Sequence, residues 1–436
     1  MDTPNYYERN LDAMVAMLDR HPDTPEGRTV GLELERILTD AAGNRVFFSG
    51  EKGVGAVIAS MCELDADAER VTIDGTLLGL SYVAEVCGER VGCNVSLEPG
   101  AQIELSCGPA RTGEALYAAL TDFDRRVREA CLAIGLDAHL VARGYDPGAR
   151  RPEDVELIPK QRYHIMDAYL PGRGSHARDM MRCSCSTQVS VDYLDADDAA
   201  RMARRASALG PLWAFLFDNS PVFRGEPSRG MARAQIWDDL DPERCGQVPH
   251  AMERGFSLRT FCEWISTVRP ILMTDADHRT YPTGDATAAD VMATRPLTDD
   301  ELLHLISMTW PSFRLKGFVE LREMDSLPPR MAVACAGLAS SLMYDDSLED
   351  DLLASVGVDL DKLTAADVAD ARRDLRERGW DATPYGVSAE RWAQALADVA
   401  RTRAASDFDR ESCRMLGGLW STRTLPRDLE QGVDLA

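Results

Sequence analysis

Two glutamates stand one residue apart in Gly31-Leu32-Glu33-Leu34-Glu35, and two more, Glu98 and Glu104, flank a Pro-Gly turn. Like charges this close repel one another unless a cation lies between them. Hard oxygen donors of this type suit Mg²⁺ or Mn²⁺, which take few carboxylates each and complete their shells with water and phosphate oxygens. A third segment sets Gln188 among serines, and a fourth places Arg314, Lys316 and Arg322 around Glu320. Metal-holding carboxylates beside cations that neutralise phosphate oxygens are the equipment for phosphoryl transfer from a metal-bound nucleotide.

All four segments alternate with a period of two, so strands must position these groups. Glu33 and Glu35 share a face opposite Leu32 and Leu34, while Gln102, Glu104 and Ser106 lie opposite Ile103 and Leu105. Between Cys183 and Tyr193 the polar set is Ser184, Ser186, Gln188, Ser190 and Asp192. Arg314, Lys316, Glu320 and Arg322 stand opposite Leu315, Val319 and Leu321. A solvated face explains such alternation in any one strand. Solvated faces carry threonine, lysine and mixed charges, however, rather than closely spaced glutamates.

Strands are expected near residues 30–38, 92–106, 183–193 and 313–322, with helices over about 5–19, 114–134 and 197–217. The stretch from Met273 to Leu297, rich in Asp, Thr, Pro and Gly, reads as a long mobile loop, and Thr298 with Glu301 has the spacing of a capping box. From about residue 330 the pattern is helical: Leu363 to Arg378 stops at Gly379, and Ser388 to Arg403 repeats the theme. The division expected is a catalytic core over 1–330 and a helical region over 331–436 packed on it.

With 45% hydrophobic and 28% charged residues the chain is an ordinary globular one. Its net charge of −24 repels a phosphate backbone, which argues against nucleic acid as a partner. No run of 18 apolar residues predicts a membrane span, and the first residues lack a signal-peptide pattern, so a cytoplasmic protein is expected. Eleven cysteines without CxxC pairing read as buried reduced thiols, with Cys183 and Cys185 on the core face of a strand.

The ordered series of motifs resembles the plant-type glutamate–cysteine ligases and the related actinobacterial enzymes that make γ-glutamylcysteine. The resemblance runs from Glu33 to about Tyr344. Its first half is Glu33-x-Glu35, Leu97-Glu98-Pro99-Gly100 with Gln102 to Ser106, and Pro159-Lys160 with Arg162-Tyr163-His164-Ile165-Met166. It continues with Asp179-Met180-Met181, Thr187-Gln188-Val189, Asn219-Ser220-Pro221, Arg233 with Ile236-Trp237, and Arg314-Leu315-Lys316 leading to Glu320-x-Arg322.

That resemblance implies an α+β fold in which a curved, mainly antiparallel sheet of about six strands forms a funnel like that of glutamine synthetases, with helices on its outer face. It implies metal ligation by Glu33, Glu35, Glu98, Glu104, Gln188 and Glu320, with Mg²⁺, or Mn²⁺, and ATP as the groups bound. Arg322 would meet the ATP phosphates, helped by Arg314 and Lys316. Arg233 and Tyr163 would contact the carboxylate and amine of substrate, and Lys160 and Arg162 a phosphate or carboxylate. The implied reaction activates the γ-carboxylate of L-glutamate as a γ-glutamyl phosphate, from which the amine of L-cysteine displaces phosphate, in a monomer or homodimer.

Departures from the family pattern occur at Ser106-Cys107-Gly108-Pro109, at Ser190 and at Ala232-Arg233-Ala234, and they leave a different acceptor amine as the alternative. Gly50-Glu51-Lys52-Gly53-Val54-Gly55 lacks the core of a Walker loop and reads as a turn. His164 has a structural reading as good as its catalytic one.

Overall fold

The computed structural model describes residues 5–22, 24–274 and 279–430. The alternating runs become β1 (Val30–Asp40), β2 (Glu69–Ile73), β3 (Thr76–Val86), β4 (Glu89–Leu97), β5 (Ile103–Ala110), β6 (Ala138–Val141), β7 (Ser186–Val191), β8 (Phe313–Leu315) and β9 (Val319–Asp325). They form one nine-stranded sheet in the order β8-β9-β7-β1-β5-β4-β3-β2, with β6 on the far end of β1. Every pairing in it is antiparallel. The sheet exceeds the expected six strands. The alternation over 92–106 is a hairpin of two strands, β4 and β5, and the edge strand β2 is largely exposed while its neighbour β3 buries Leu78, Leu80, Tyr82 and Ala84.

The apolar faces of the central strands are closed off by helices. In chain order the helices include α1 (Tyr6–Leu18), α2 (Val54–Leu64), α3 (Gly113–Ala133), α4 (Gln161–Tyr169), α5 (Ala177–Cys183), α6 (Ala196–Leu216) and α7 (Ala232–Asp238). They continue as α8 (Asp299–Ser307), α9 (Pro329–Met343), α10 (Ala365–Arg378), α11 (Ala389–Arg403) and α12 (Asp407–Ser421). α3 starts where Thr112 accepts from the Ala115 amide and packs on β3, β4 and β5, whereas α9 packs on β1 and β7. α9 lies close because its buried residues include Ala332, Ala334, Ala336, Gly337 and Ala339. Leu32, Leu34, Ile103, Leu105, Val189 and Leu321 are all buried in this interface. Each such side chain contributes about 1.5–3 kcal/mol, and together they oblige the other face of the same strands to carry the polar set.

The capping box at Thr298 and Glu301 and the stop of α10 at Gly379, φ +57°, are as the sequence indicates. Two local expectations are corrected. Cys183 closes α5 and Ser184 follows in extended backbone, so the strand begins only at Ser186: the alternation of cysteine and serine is buried on both sides and carries no period-two contrast. The Met273–Leu297 stretch is not one long loop; Leu272–Thr274 pairs with Thr280–Pro282, and a short helix follows over Ala288–Met292. The strands are too short to alternate, and residues 275–278 of the expected loop lie outside the described residues. All eleven cysteines are unpaired, and all but Cys87 are buried. Among the described residues no helix is long and apolar enough to cross a membrane.

Candidate active site

Register decides which polar side chains meet. Glu35 lies opposite Glu104 across β1 and β5, and Glu33 lies opposite Ser106 on that side and Gln188 on the other. Ser190 stands opposite Gly31 and Glu320, Glu320 opposite Arg314, and Ser96 opposite Glu104. One polar row thus crosses six strands from β4 to β8.

Three of its carboxylates, Glu33, Glu35 and Glu104, make no ion pair with a cation among the described residues, and two of them are held by hydroxyl or amide donors. Glu35 accepts from the Ser186 amide at 2.7 Å, the Ser186 hydroxyl at 2.8 Å and Gln188 Nε2 at 3.3 Å. Glu104 accepts from Ser96 Oγ at 2.8 Å and Ser106 Oγ at 3.4 Å. Burial, then Glu98 and Glu104, pushes Glu35 up to about 8. Burial, then Glu104 and Glu320, takes Glu33 to about 7, and burial with Glu98 does the same for Glu104. Desolvated carboxylates that hold protons near neutrality are carboxylates short of positive charge.

Glu320 is the opposite case. Burial alone would raise it, but Arg314, Arg322 and Lys316 hold it well below the usual carboxylate range. Arg314 donates through Nε at 2.8 Å and Nη2 at 3.2 Å, Lys316 Nζ at 3.1 Å and Arg322 Nη1 at 2.8 Å. Arg322 also donates to the Gln188 amide oxygen. The β8–β9 hairpin therefore delivers a positively charged cluster to one end of the carboxylate row.

At the other end the chain turns through Glu98-Pro99-Gly100-Ala101. Gln102 Oε1 accepts from the Gly100 amide at 2.8 Å, and Gln102 Nε2 donates to the Ser184 carbonyl at 2.9 Å, so Gln102 braces the turn rather than facing the site with Glu104. A Cβ on Gly100 would stand 2.4 Å from the Arg182 carbonyl oxygen, which leaves room for glycine alone. Tyr163, on the first turn of α4, donates to the Leu97 carbonyl at 3.2 Å and to Glu98 at 3.3 Å, with Lys160 Nζ 4.5 Å from its ring centre. Arg233, on α7 and 3% exposed, donates through Nη1 to the Arg322 carbonyl at 3.1 Å.

A cavity of about 1050 Å³ opens beside Glu33, floored by Gly31, Ser106, Asn94 and Ser81 and bordered by Ser190 and Phe318. Ser106, Asn94 and Ser81, in register across β5, β4 and β3, leave the space beside Glu33. Of the metal, phosphate and substrate residues expected from the sequence, only Glu33 lines it; Glu35, Glu98, Glu104, Gln188, Glu320, Arg233, Arg314, Lys316 and Arg322 do not.

A family model described as glutamate-cysteine ligase family 2 matches residues 29–419 of this chain. The chain belongs to that family. It is 30% identical over 321 residues to the chloroplastic glutamate–cysteine ligase of Brassica juncea, covering 72% of this chain and 59% of the relative. The chloroplastic glutamate–cysteine ligase of Arabidopsis thaliana is 30% identical over 292 residues, 65% of this chain and 54% of the relative. The chain thus spans a little over half the length of the curated relatives it matches. A crystal structure of the complex between the prokaryotic ubiquitin-like protein Pup and its ligase PafA covers 90% of this chain and 62% of that one at 13% identity, with a TM-score of 0.38. A likeness that loose carries no argument here.

In this family 2 chain the fold brings Glu33, Glu35, Glu98, Glu104 and Gln188 together, and sets Arg314, Lys316 and Arg322 on Glu320. Arg162 is half-buried, and its charge acts on Lys160 and Tyr163 and on His304. His164 is exposed. Lys52 of the glycine-rich run donates to the Gly135 carbonyl at 2.5 Å, as a turn residue. Among the described residues no three carboxylate, imidazole or thiol groups converge into a cage that would hold a metal ion by themselves. Ser96 and Ser186 donate to Glu104 and Glu35, and Asn94 lines the cavity; Asn94 and Ser96 share a face by the period of two in Gly92-Cys93-Asn94-Val95-Ser96-Leu97, which the sequence already offers.

Proposed function

We propose that this chain joins the γ-carboxylate of L-glutamate to the amine of L-cysteine at the expense of ATP, giving γ-glutamylcysteine, ADP and phosphate. The observation that carries the reading is the juxtaposition of charge-starved Glu33, Glu35 and Glu104 with the Arg314–Lys316–Arg322 cluster, beside a nucleotide-sized cavity. Mg²⁺ or Mn²⁺ held by Glu33, Glu35, Glu98, Glu104 and Gln188 would supply the positive charge these groups lack and neutralise the β- and γ-phosphates. Glu320 joins that set only by sharing its three cations with incoming phosphate oxygens.

The nucleotide enters from the cavity at Glu33, with its base over Asn94 and Ser81, and glutamate from the Glu98–Arg233 side. Arg322 and Lys316 stabilise the charge that develops on the transferring phosphoryl group. Arg233 holds a substrate carboxylate, and Tyr163 with Lys160 orients the attacking amine against Glu98. Residues 1–330 carry this chemistry and the helices of 331–436 brace it. Ser190, Ala232 and Ala234, which depart from the family pattern, favour a second reading in which another amine is the acceptor.

The test is phosphate release from ATP with L-glutamate and Mg²⁺, comparing L-cysteine with a panel of amines and weighing the product by mass spectrometry. A cysteine-dependent product of γ-glutamylcysteine mass is expected. Turnover with another amine alone replaces the acceptor, and no glutamate-dependent turnover with any amine sinks the ligase reading.

A further inference from the structure

Two adjoining cavities run from α10 to Arg233 and Arg322. The outer one, about 280 Å³, sits between α6 and α10; the inner one, about 20 Å³, reaches Arg233 and Arg322. Asp238, Gly246, Ser312, Glu323 and Arg372 line both, so the pair makes one path from the α10 surface to the active-site arginines.

The polar atoms along this path are unusual. Ser207 Oγ in the outer cavity, Ser312 Oγ on the shared wall, and Arg233 Nε and Trp237 Nε1 in the inner one are buried without a hydrogen-bond partner. Ser207 is 2% exposed and Arg233 3%. All four can donate. Buried polar groups left unpaired cost about 1–3 kcal/mol each, and four donors in one path call for an acceptor-rich guest.

Charge points the same way. Arg372, Arg373 and Arg376 line the outer cavity and Arg233 and Arg322 the inner, against the carboxylates of Asp238 and Glu323. Arg372 already bridges those two carboxylates, at 2.9 Å to each, which removes most of their repulsion for an anion. The two cavities together carry five arginines against two carboxylates on their walls, with Arg322 also paired to Glu320 and Arg373 to Asp370.

We propose that the outer cavity is an oxyanion site that receives inorganic phosphate. A tetrahedral oxyanion accepts donors from several directions at once, as guanidinium and hydroxyl groups on opposite walls require. The site rests on the outer cavity itself and not on the ligase reading above, because the inner cavity, at about 20 Å³, has room for about one water.

Binding of inorganic phosphate, and separately of L-glutamate, to the full-length protein by equilibrium dialysis without ATP or Mg²⁺ tests this. Saturable phosphate binding is expected, weakened about tenfold or more when Ser207→Ala and Ser312→Ala are combined. Because neither hydroxyl has a partner to lose, that variant keeps the wild-type Tm. Arg376→Gln, at the half-exposed rim, weakens phosphate binding as well. Phosphate affinity unchanged in the double variant, or a site that takes L-glutamate and not phosphate, overturns the proposal. A chain without ligase turnover that still binds phosphate through these hydroxyls refutes the ligase reading and leaves the site standing.

Discussion

Glu35 on β1 and Glu104 on β5 stand directly opposite one another in the antiparallel register, two carboxylates on neighbouring strands, each served by hydroxyl donors and neither in an ion pair among the described residues. The arrangement sets two carboxylates against each other, a repulsion that a divalent cation would relieve, and it makes the response to pH a test of the site.

Glu33 and Glu104 are raised to about 7 and Glu35 to about 8 from an ordinary 4.5. The native state therefore holds more protons than the unfolded chain across this window, so the stability these groups contribute is complete below about pH 4.5 and is lost as pH rises towards 8. Thermal unfolding of the metal-free protein should show Tm falling over pH 5–8, and Mg²⁺ should restore more at pH 8 than at pH 6. A Tm independent of pH, or a Mg²⁺ effect that shrinks with rising pH, contradicts the arrangement.

Glu104→Gln removes one of the opposed charges but keeps an acceptor for Ser96. At pH 8 without metal the variant should be more stable than the parent, by on the order of 1–3 kcal/mol. Its ATP turnover should fall by at least about 100-fold through loss of charge stabilisation. Chemical denaturation and a phosphate-release assay read the two effects separately.

Arg314→Ala strips the bidentate partner from Glu320, which is fully buried. Breaking a buried pair from one side costs about 3–5 kcal/mol. Urea unfolding should show a loss of that order, and a loss under about 1 kcal/mol would mean that Lys316 and Arg322 satisfy Glu320 without it.

Gly100→Ala forces a Cβ to within 2.4 Å of the Arg182 carbonyl oxygen and 2.9 Å of Arg45 Nη2. Relief requires the Glu98 turn to move, so a destabilisation of about 1–3 kcal/mol should accompany a raised KM for glutamate. Parental KM in a folded variant would separate Glu98 from the substrate.

Asn94 is exposed on the cavity floor, so Asn94→Trp fills space without disturbing the core. An increase of about tenfold or more in KM for ATP, with KM for glutamate unchanged, is expected of a residue beneath the nucleotide alone. Equal increases in both would place the two substrates on the same side of Glu33.

Much of the site could be read from the chain alone, because alternation is a local property of the backbone: Glu33 and Glu35 must share a face in any strand, and Leu32 and Leu34 must share the other. The same reasoning located the helices and capping residues from Thr298 onward. It failed where local contrast vanishes, as at Cys183–Cys185, which is buried on both sides, and in the short hairpin at Leu272–Pro282. What no local pattern holds is register. That Glu35 meets Glu104, that Glu320 is enclosed by Arg314, Lys316 and Arg322, and that Arg372 from α10 reaches Asp238 and Glu323 are pairings between residues distant in sequence. They arise only when the whole sheet closes against its helices, since hydrogen bonding between strands and apolar packing between layers choose one alignment from many that the alternation alone would allow.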